Sequence, residues 1–346
     1  MSFLGQGIPS QILSRNGQIA LSDVNGTVNI LGGYSGNSIA AGVFAAIISG
    51  GGTSGSENKI LDTGAHYSKI GGGYDNQHAT DAIAAIINGG AHHRNYSNHT
   101  TIDGGSFITI NTSSNYASSG GGTGHALTGT YARVGGGNTN TANGYASYVG
   151  AGQSNQATNQ YAVTSGGLSN QSTGLSATVP GGRENIASGS YSLATGYAAL
   201  ASFYGEHAHA AKYFSAAGDA MARQMVMRRT TTTNVASTMF TDGSSERLVL
   251  PDNTTWSFRC LIVARRTDSG TESGGYELTG TIRRASGAAN TVMVAAATKV
   301  VLGEDTAAWD VAAAADTSNG ALGITVTGAS GSTINWVGYM TIVQVQ

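Results

Sequence analysis

Two histidines separated by one residue, His207-Ala208-His209, are the clearest candidates for chemistry in this sequence. Residues i and i+2 of a strand share a face, so three chains meeting on an axis would aim six imidazoles at it and hold an octahedral transition metal. The plainer reading is a pair of surface or interface histidines, because a bare His pair shows no supporting shell. His92, His93 and His99, near Arg94 and Tyr96, read as a sugar or metal site or, with more weight, as an exposed polar loop. Cleaving a glycan by hydrolysis takes two carboxylates, and Asp62, Asp75, Asp81 and Asp103 are the only plausible source in the glycine-rich half. Glu304, Asp305 and Asp310 flank Trp309, which makes it a saccharide platform or a buried anchor; large aromatics in β-sandwiches are usually core, which favours the anchor. The pairs Arg228-Arg229, Arg265-Arg266 and Arg283-Arg284 read as interchain ion-pair donors to Glu246, Glu272, Glu277 or Asp268. Contact with a receptor phosphate or carboxylate is the sharper alternative.

The elements that must position these residues are unusual. The chain carries 52 glycines, 3 prolines and one cysteine in 346 residues, with a net charge of −2. No Gly-X-Y register runs through it, which excludes collagen, and ordinary hydrophobicity with low net charge excludes disorder. Near-neutral charge argues against a nucleic-acid partner. Met1 to Gly7 hold neither a basic nor a continuous apolar region, so no signal peptide is expected, and no stretch is apolar enough to insert in a membrane. Cys260 lies in a run that reads as a buried strand. The glycine runs at 120–124 and 135–137 lack the Gly-Lys-Ser/Thr sequel of a nucleotide loop.

Repetition explains those runs. From Ser119, glycine-containing pairs recur every fifteen residues, at Gly120, Gly135, Gly150, Ser165, Pro180 and Thr195. Asn140, Asn155, Asn170 and Asn185 form a column in the same register, and Val134, Val149, Thr164 and Val179 another. Fifteen residues suit one coil of a parallel β-solenoid, two short strands and two tight turns. The valine column should point inward, and glycine and asparagine should take the φ > 0 turn positions. Stacked asparagines should bond to one another up the ladder. Upstream the same units return with looser spacing, at Gly50, Gly71, Gly89 and Gly104, which predicts loops that bulge.

A coil of such small residues encloses little apolar volume, and between Gly120 and Leu200 only Arg133, Arg183 and Glu184 are charged. Both facts favour three chains packed together as a homotrimer. The run from Gly144 to Ala201 is similar to the head repeats of YadA-type trimeric adhesins, which implies a left-handed parallel β-roll. Beyond a neck at 211–230 glycine thins and alternation takes over, as in Trp256, Phe258, Cys260 and Ile262, or Leu322, Ile324 and Val326. An antiparallel β-sandwich of jelly-roll type follows from that pattern. Gly218-Asp219-Ala220 with Arg228-Arg229-Thr230, Leu248 to Trp256, Val263 to Thr267, Glu304 to Trp309 and Ile334 to Val337 resemble, in order and spacing, C-terminal domains of phage tail-fibre proteins.

The expected molecule is all-β: a virion-attachment segment at 1–40, a solenoid at 41–210, the neck, and a receptor-binding sandwich at 231–346. The resemblance implies a phage tail fibre or tailspike in the virion tail that adsorbs to its host, and the near absence of carboxylates from the regular repeats adds the expectation that it is not an enzyme. Its implied partners are two further copies of itself, a tail baseplate or hub protein, and surface polysaccharide or lipopolysaccharide. A polysaccharide depolymerase and a bacterial trimeric adhesin are the alternatives, and an ice-binding solenoid comes fourth because no ladder of regularly spaced threonines appears.

Overall fold

The computed structural model describes residues 12–13, 19–24, 26–80 and 82–346. Asp81, Met1 to Gly7 and part of the expected attachment segment at 1–40 lie outside the described residues. Among those described, no helix is long and apolar enough to cross a membrane. The chain divides into two compact units, 1–172 and 173–346.

The first unit is a parallel β-solenoid whose coils each contribute two-residue strands. On one side Ile47 pairs with Lys69, Lys69 with Ile86 and Ile86 with Thr101; on the other Arg94 pairs with Thr109 and Thr141 with Gln156. In each short strand one side chain points inward, so the interior is a stack of Ile48, Ile70, Ile87 and Ile102, passing to Val134, Val149 and Thr164. Ile60, Ile110, Leu127, Ala142 and Ala157 stack against them, all fully buried within one chain. The coil therefore closes its own core, small as it is.

The asparagines behave differently from expectation. Asn140 Oδ1 accepts the backbone N–H of Asn155 at 2.9 Å, and Asn155 Oδ1 that of Asn170 at 3.0 Å. Their Nδ2 groups donate to backbone carbonyls, as Asn155 does to Ala151 and Gly167. Each side chain thus bonds to the next coil's backbone, not to the next asparagine, because the column is fully buried and its main-chain donors need acceptors. The same ladder runs upstream through Asn37, Asn58 and Asn76 at steps of 21, 18 and 17 residues, where the loops do bulge. The φ > 0 corners are filled instead by glycine together with Tyr131, Ala146 and Tyr161 on one side and Thr139, Ser154 and Ser169 on the other.

Glycine is obligatory where coils touch. Gly152 has φ +89°, and a Cβ there would lie 2.2 Å from the carbonyl oxygen of Gly167. Gly152→Ala combines backbone strain with a backbone clash, and it should lower stability by more than about 2 kcal/mol, read as a fall in Tm.

The second unit begins with coils of the same kind, in which Val179, Ala187 and Ala194 are buried. Strand His207–Ala210 then turns antiparallel to Ala220–Thr231. That long strand opens a sheet in the order Ala220–Thr231, Ile334–Val345, Thr254–Arg266, Ser273–Arg284, Thr298–Glu304, all antiparallel. A smaller sheet of Ser237–Thr238, Leu248–Val249, Asp310–Asp316 and Ala321–Thr327 packs against one face. Trp256, Trp336, Tyr276, Ile262 and Met340 meet Trp309, Leu322 and Ile324 in the shared core. Alternation put those side chains there, and Cys260 is buried among them, its thiol pushed up to about 12 by burial.

Candidate functional site

The irregular coils of the first unit bring three sequence-distant residues into one column. Asp75, His92 and Phe107 each occupy the same corner, with φ of 50°, 58° and 55°. The backbone N–H of His92 donates to the carbonyl of Tyr74, and that of Phe107 to Ala91. Identical backbone poses one coil apart make the three side chains project side by side.

Their contacts are specific. His92 Nδ1 lies 2.8 Å from Asp75 Oδ2. Arg94 Nη2 reaches both carboxylate oxygens, at 3.0 and 2.8 Å, and Gln77 Nε2 donates to Oδ1 at 3.1 Å. The His92 ring stacks on Phe107 at 4.6 Å and meets Tyr74 edge-on at 5.2 Å. Partial burial pushes the Asp75 carboxyl up, but the hydrogen bonds from Arg94 and His92 outweigh it and hold it below its usual range. An ionised carboxylate that fixes Nδ1 leaves Nε2 as the nitrogen to take or give a proton, the arrangement of an oriented general base. The His92 side chain keeps 31% of its exposure, so a ligand can reach it.

A two-carboxylate hydrolysis is poorly served here. Glu57 sits one coil before Asp75, but hydrogen bonds from its own and the Gly55 backbone, with Lys59 beside it, hold it low as well. Neither group is kept protonated, as a general acid must be. Asp62 turns to the Gly64 N–H and Asp103 accepts from Asn88, so neither joins the cluster.

The other sequence candidates fall elsewhere. His93 is fully buried in the asparagine column, and His99 stacks on Tyr116 at the opposite corner. There a ladder missed by the sequence reading runs through Tyr116, Tyr131, Tyr145 and Tyr161, with centroids 5.0 to 5.7 Å apart. Tyrosines recurring at coil spacing were its signal. The stacked Tyr116 and Tyr131 cover one another's faces, which leaves edges and hydroxyls outward.

In the second unit His207 and His209 share the exposed face of their strand. Thr195 Oγ1 lies 3.2 Å from His207 Nε2 and 3.1 Å from His209 Nδ1. No group of three or more His, Cys, Asp or Glu residues is placed to hold a metal among the described residues. Trp309 is buried against Trp336, an anchor and not a platform. Of the arginines expected to pair between chains, Arg266 pairs within its own chain, with Asp268 and Glu272, and Arg284 pairs with Asp252.

No protein-family model matches the chain, and no curated protein does. Among solved structures it is similar to the tailspike gp49 of Acinetobacter baumannii bacteriophage Fri1, a capsular polysaccharide depolymerase, at 6% identity and TM-score 0.22, over 86% of this chain and 68% of that one. The tailspike of Acinetobacter phage vB_ApiP_P1 is similar at 9% identity and TM-score 0.23, over 87% and 62%. That of Acinetobacter baumannii phage AM24 is similar at 8% and 0.24, over 88% and 67%. Scores this low assign no function by themselves. The expectation that the chain is not an enzyme is not kept, the Fri1 neighbour being described as a capsular polysaccharide depolymerase.

Proposed function

We propose that this chain is a bacteriophage tailspike that attaches the virion to its host by engaging a surface polysaccharide. The observation that carries this reading is the polar and aromatic cluster of Tyr74, Asp75, His92, Arg94 and Phe107, assembled on the outside of a solenoid whose regular coils bear almost no charge. Aromatic rings beside an ion-paired network suit a hydroxyl-rich polymer with apolar sugar faces. Purified protein should block phage adsorption to host cells and bind the host's capsular polysaccharide or lipopolysaccharide. Failure to bind either would end the reading.

The oriented dyad favours a second reading, that the bound polysaccharide is also cleaved. His92→Ala should then reduce chain scission by roughly a hundredfold or more with the fold unchanged, measured as new reducing ends per unit time. Equal rates for the wild type and the variant would remove His92 from the reaction.

The remaining assignments belong to the same proposal. The segment 1–40 would dock to a baseplate or hub protein, the coils would act as YadA-like repeats, and 231–346 would form the tip. The chain would work as a homotrimer in the virion tail. His207 and His209, exposed on one face, would hold a transition metal on the threefold axis, to be checked by metal analysis of the purified protein.

A further inference from the structure

The long antiparallel sheet of the second unit has two faces, and only one is covered. Residues pointing inward meet the smaller sheet; those pointing outward would ordinarily be polar, since a one-sided sheet alternates hydrophobic-in and polar-out. Here the middle of the outer face is apolar. Val226 pairs with Tyr339 and Tyr339 with Leu261, while Val337 pairs with Val263 in the next outward row. These five side chains are 44 to 57% exposed, one patch across three strands, and exposed Val343 lies two rows away beyond Thr341. Such a patch on a folded surface marks an interaction site.

We infer that this face is where copies of the chain pack against one another. Charge placement selects a second copy as the occupant. A face turned toward the symmetry axis brings the groups nearest that axis onto their own kind, so its centre must carry no net charge. On the inner strands of the central rows the charged groups are Arg259 and Glu277, which neutralise each other at 2.9 Å, while Arg228 ends the Val337 row at the outer strand. The cations without an ionic partner lie at the margins: Arg283 at one end of the strands, Arg265 at the other, and Arg228 at the outer strand's edge of the Val337 row, tied to the Asp242 carbonyl. An apolar centre holding Tyr and a charged rim is the anatomy of a protein interface. An anionic polymer would need the cations gathered, and they lie at separate ends and an edge of the sheet.

The size agrees. Strands of 12 or 13 residues, four abreast, give a face roughly 40 Å by 19 Å from the usual rise and spacing, about 750 Å² in plan. A standard stable interface takes about 800 Å² from each partner. The inference rests on the self-assembling part of the proposed function and is independent of glycan binding.

Sedimentation equilibrium of the full chain tests it. The wild type is expected at a whole multiple, two or greater, of 34.9 kDa. Leu261→Glu with Val263→Glu, both outward-facing and so neutral to the core, should weaken association roughly a hundredfold or more and give single chains with unchanged circular dichroism and polysaccharide binding. Wild-type protein sedimenting as single chains would overturn self-association altogether, and an oligomer that survives both substitutions would overturn this face. As a check that does not depend on the charged variant folding, Tyr339→Cys should form a chain-to-chain disulfide on mild oxidation, the native Cys260 being buried. Its absence from an associated protein would likewise count against the face.

Discussion

Lowering the pH from 7 to 4 is expected to strip several kcal/mol from the first unit, through histidines folded in the neutral form. His78 is fully buried and its Nε2 lies 3.0 Å from the carbonyl of Lys69, leaving Nδ1 without a partner. Burial pulls its pKa from 6.5 to about 4. His93 and His125 replace asparagine in the buried ladder, where Nδ1 accepts the backbone N–H of Ile108 at 3.3 Å and of Asn140 at 3.2 Å. A proton on Nδ1 would set donor against donor. Burial lowers both rings, His93 to about 4 with Arg94 and His92 adding to the effect.

A folded pKa below the unfolded one means that the folded chain binds fewer protons. The stabilisation is complete above pH 6.5 and is lost as pH falls from there toward 4. One pKa unit is about 1.4 kcal/mol, so the loss is about 3 kcal/mol for His78 and up to that for His93. Urea melts across this window should show the fall. His93→Asn with His125→Asn restores the ladder's own residue, so it should flatten the curve while leaving stability at pH 7 nearly unchanged. Melts that do not move between pH 7 and 4 would refute the account.

Arg223→Ala should cost the second unit about 3 to 5 kcal/mol, the usual result of stripping one partner from a buried ion pair. Glu206 is fully buried and bonded to the Arg223 guanidinium, itself 2% exposed. Glu206 Oε2 also accepts the N–H groups of Ser202 and Phe203, at 2.6 and 2.8 Å. Arg223 Nε donates to Gln344 Oε1, which Trp256 Nε1 also reaches, and its guanidinium lies over the Phe203 and Trp256 rings. Removing the arginine leaves a carboxylate with no counter-charge and a void beside Trp256. Arg223→Met combined with Glu206→Gln keeps the volume and the two backbone contacts with no buried charge, and should recover most of the loss. A single Arg223→Ala protein within about 1 kcal/mol of wild type, by denaturant unfolding, would show that the pair carries little.

Glu206 and Arg223 lie 17 residues apart, a separation that means nothing until one strand has turned back on another. The same limit governs the candidate site. Asp75, His92 and Arg94 were each visible as chemically able residues, but coils of unequal length hide which of them share a corner. The fifteen-residue coils hid nothing of that kind, and their inward valines could be read directly.

The sequence alone determined what is periodic: a solenoid where glycine and valine recur every fifteen residues, and a two-sided sheet where Trp256, Phe258, Cys260 and Ile262 alternate. Periodicity is a local property, fixed by the pitch of a coil or a strand. Tertiary structure decided what depends on neighbours from other coils and strands. It made the asparagines backbone acceptors inside the coil and not turn residues, it joined Asp75 to His92, and it left Val226, Tyr339 and Leu261 side by side on an uncovered face. In each case the outcome turned on which backbone groups and side chains came within a few ångströms, and chain spacing does not encode that when loop lengths vary.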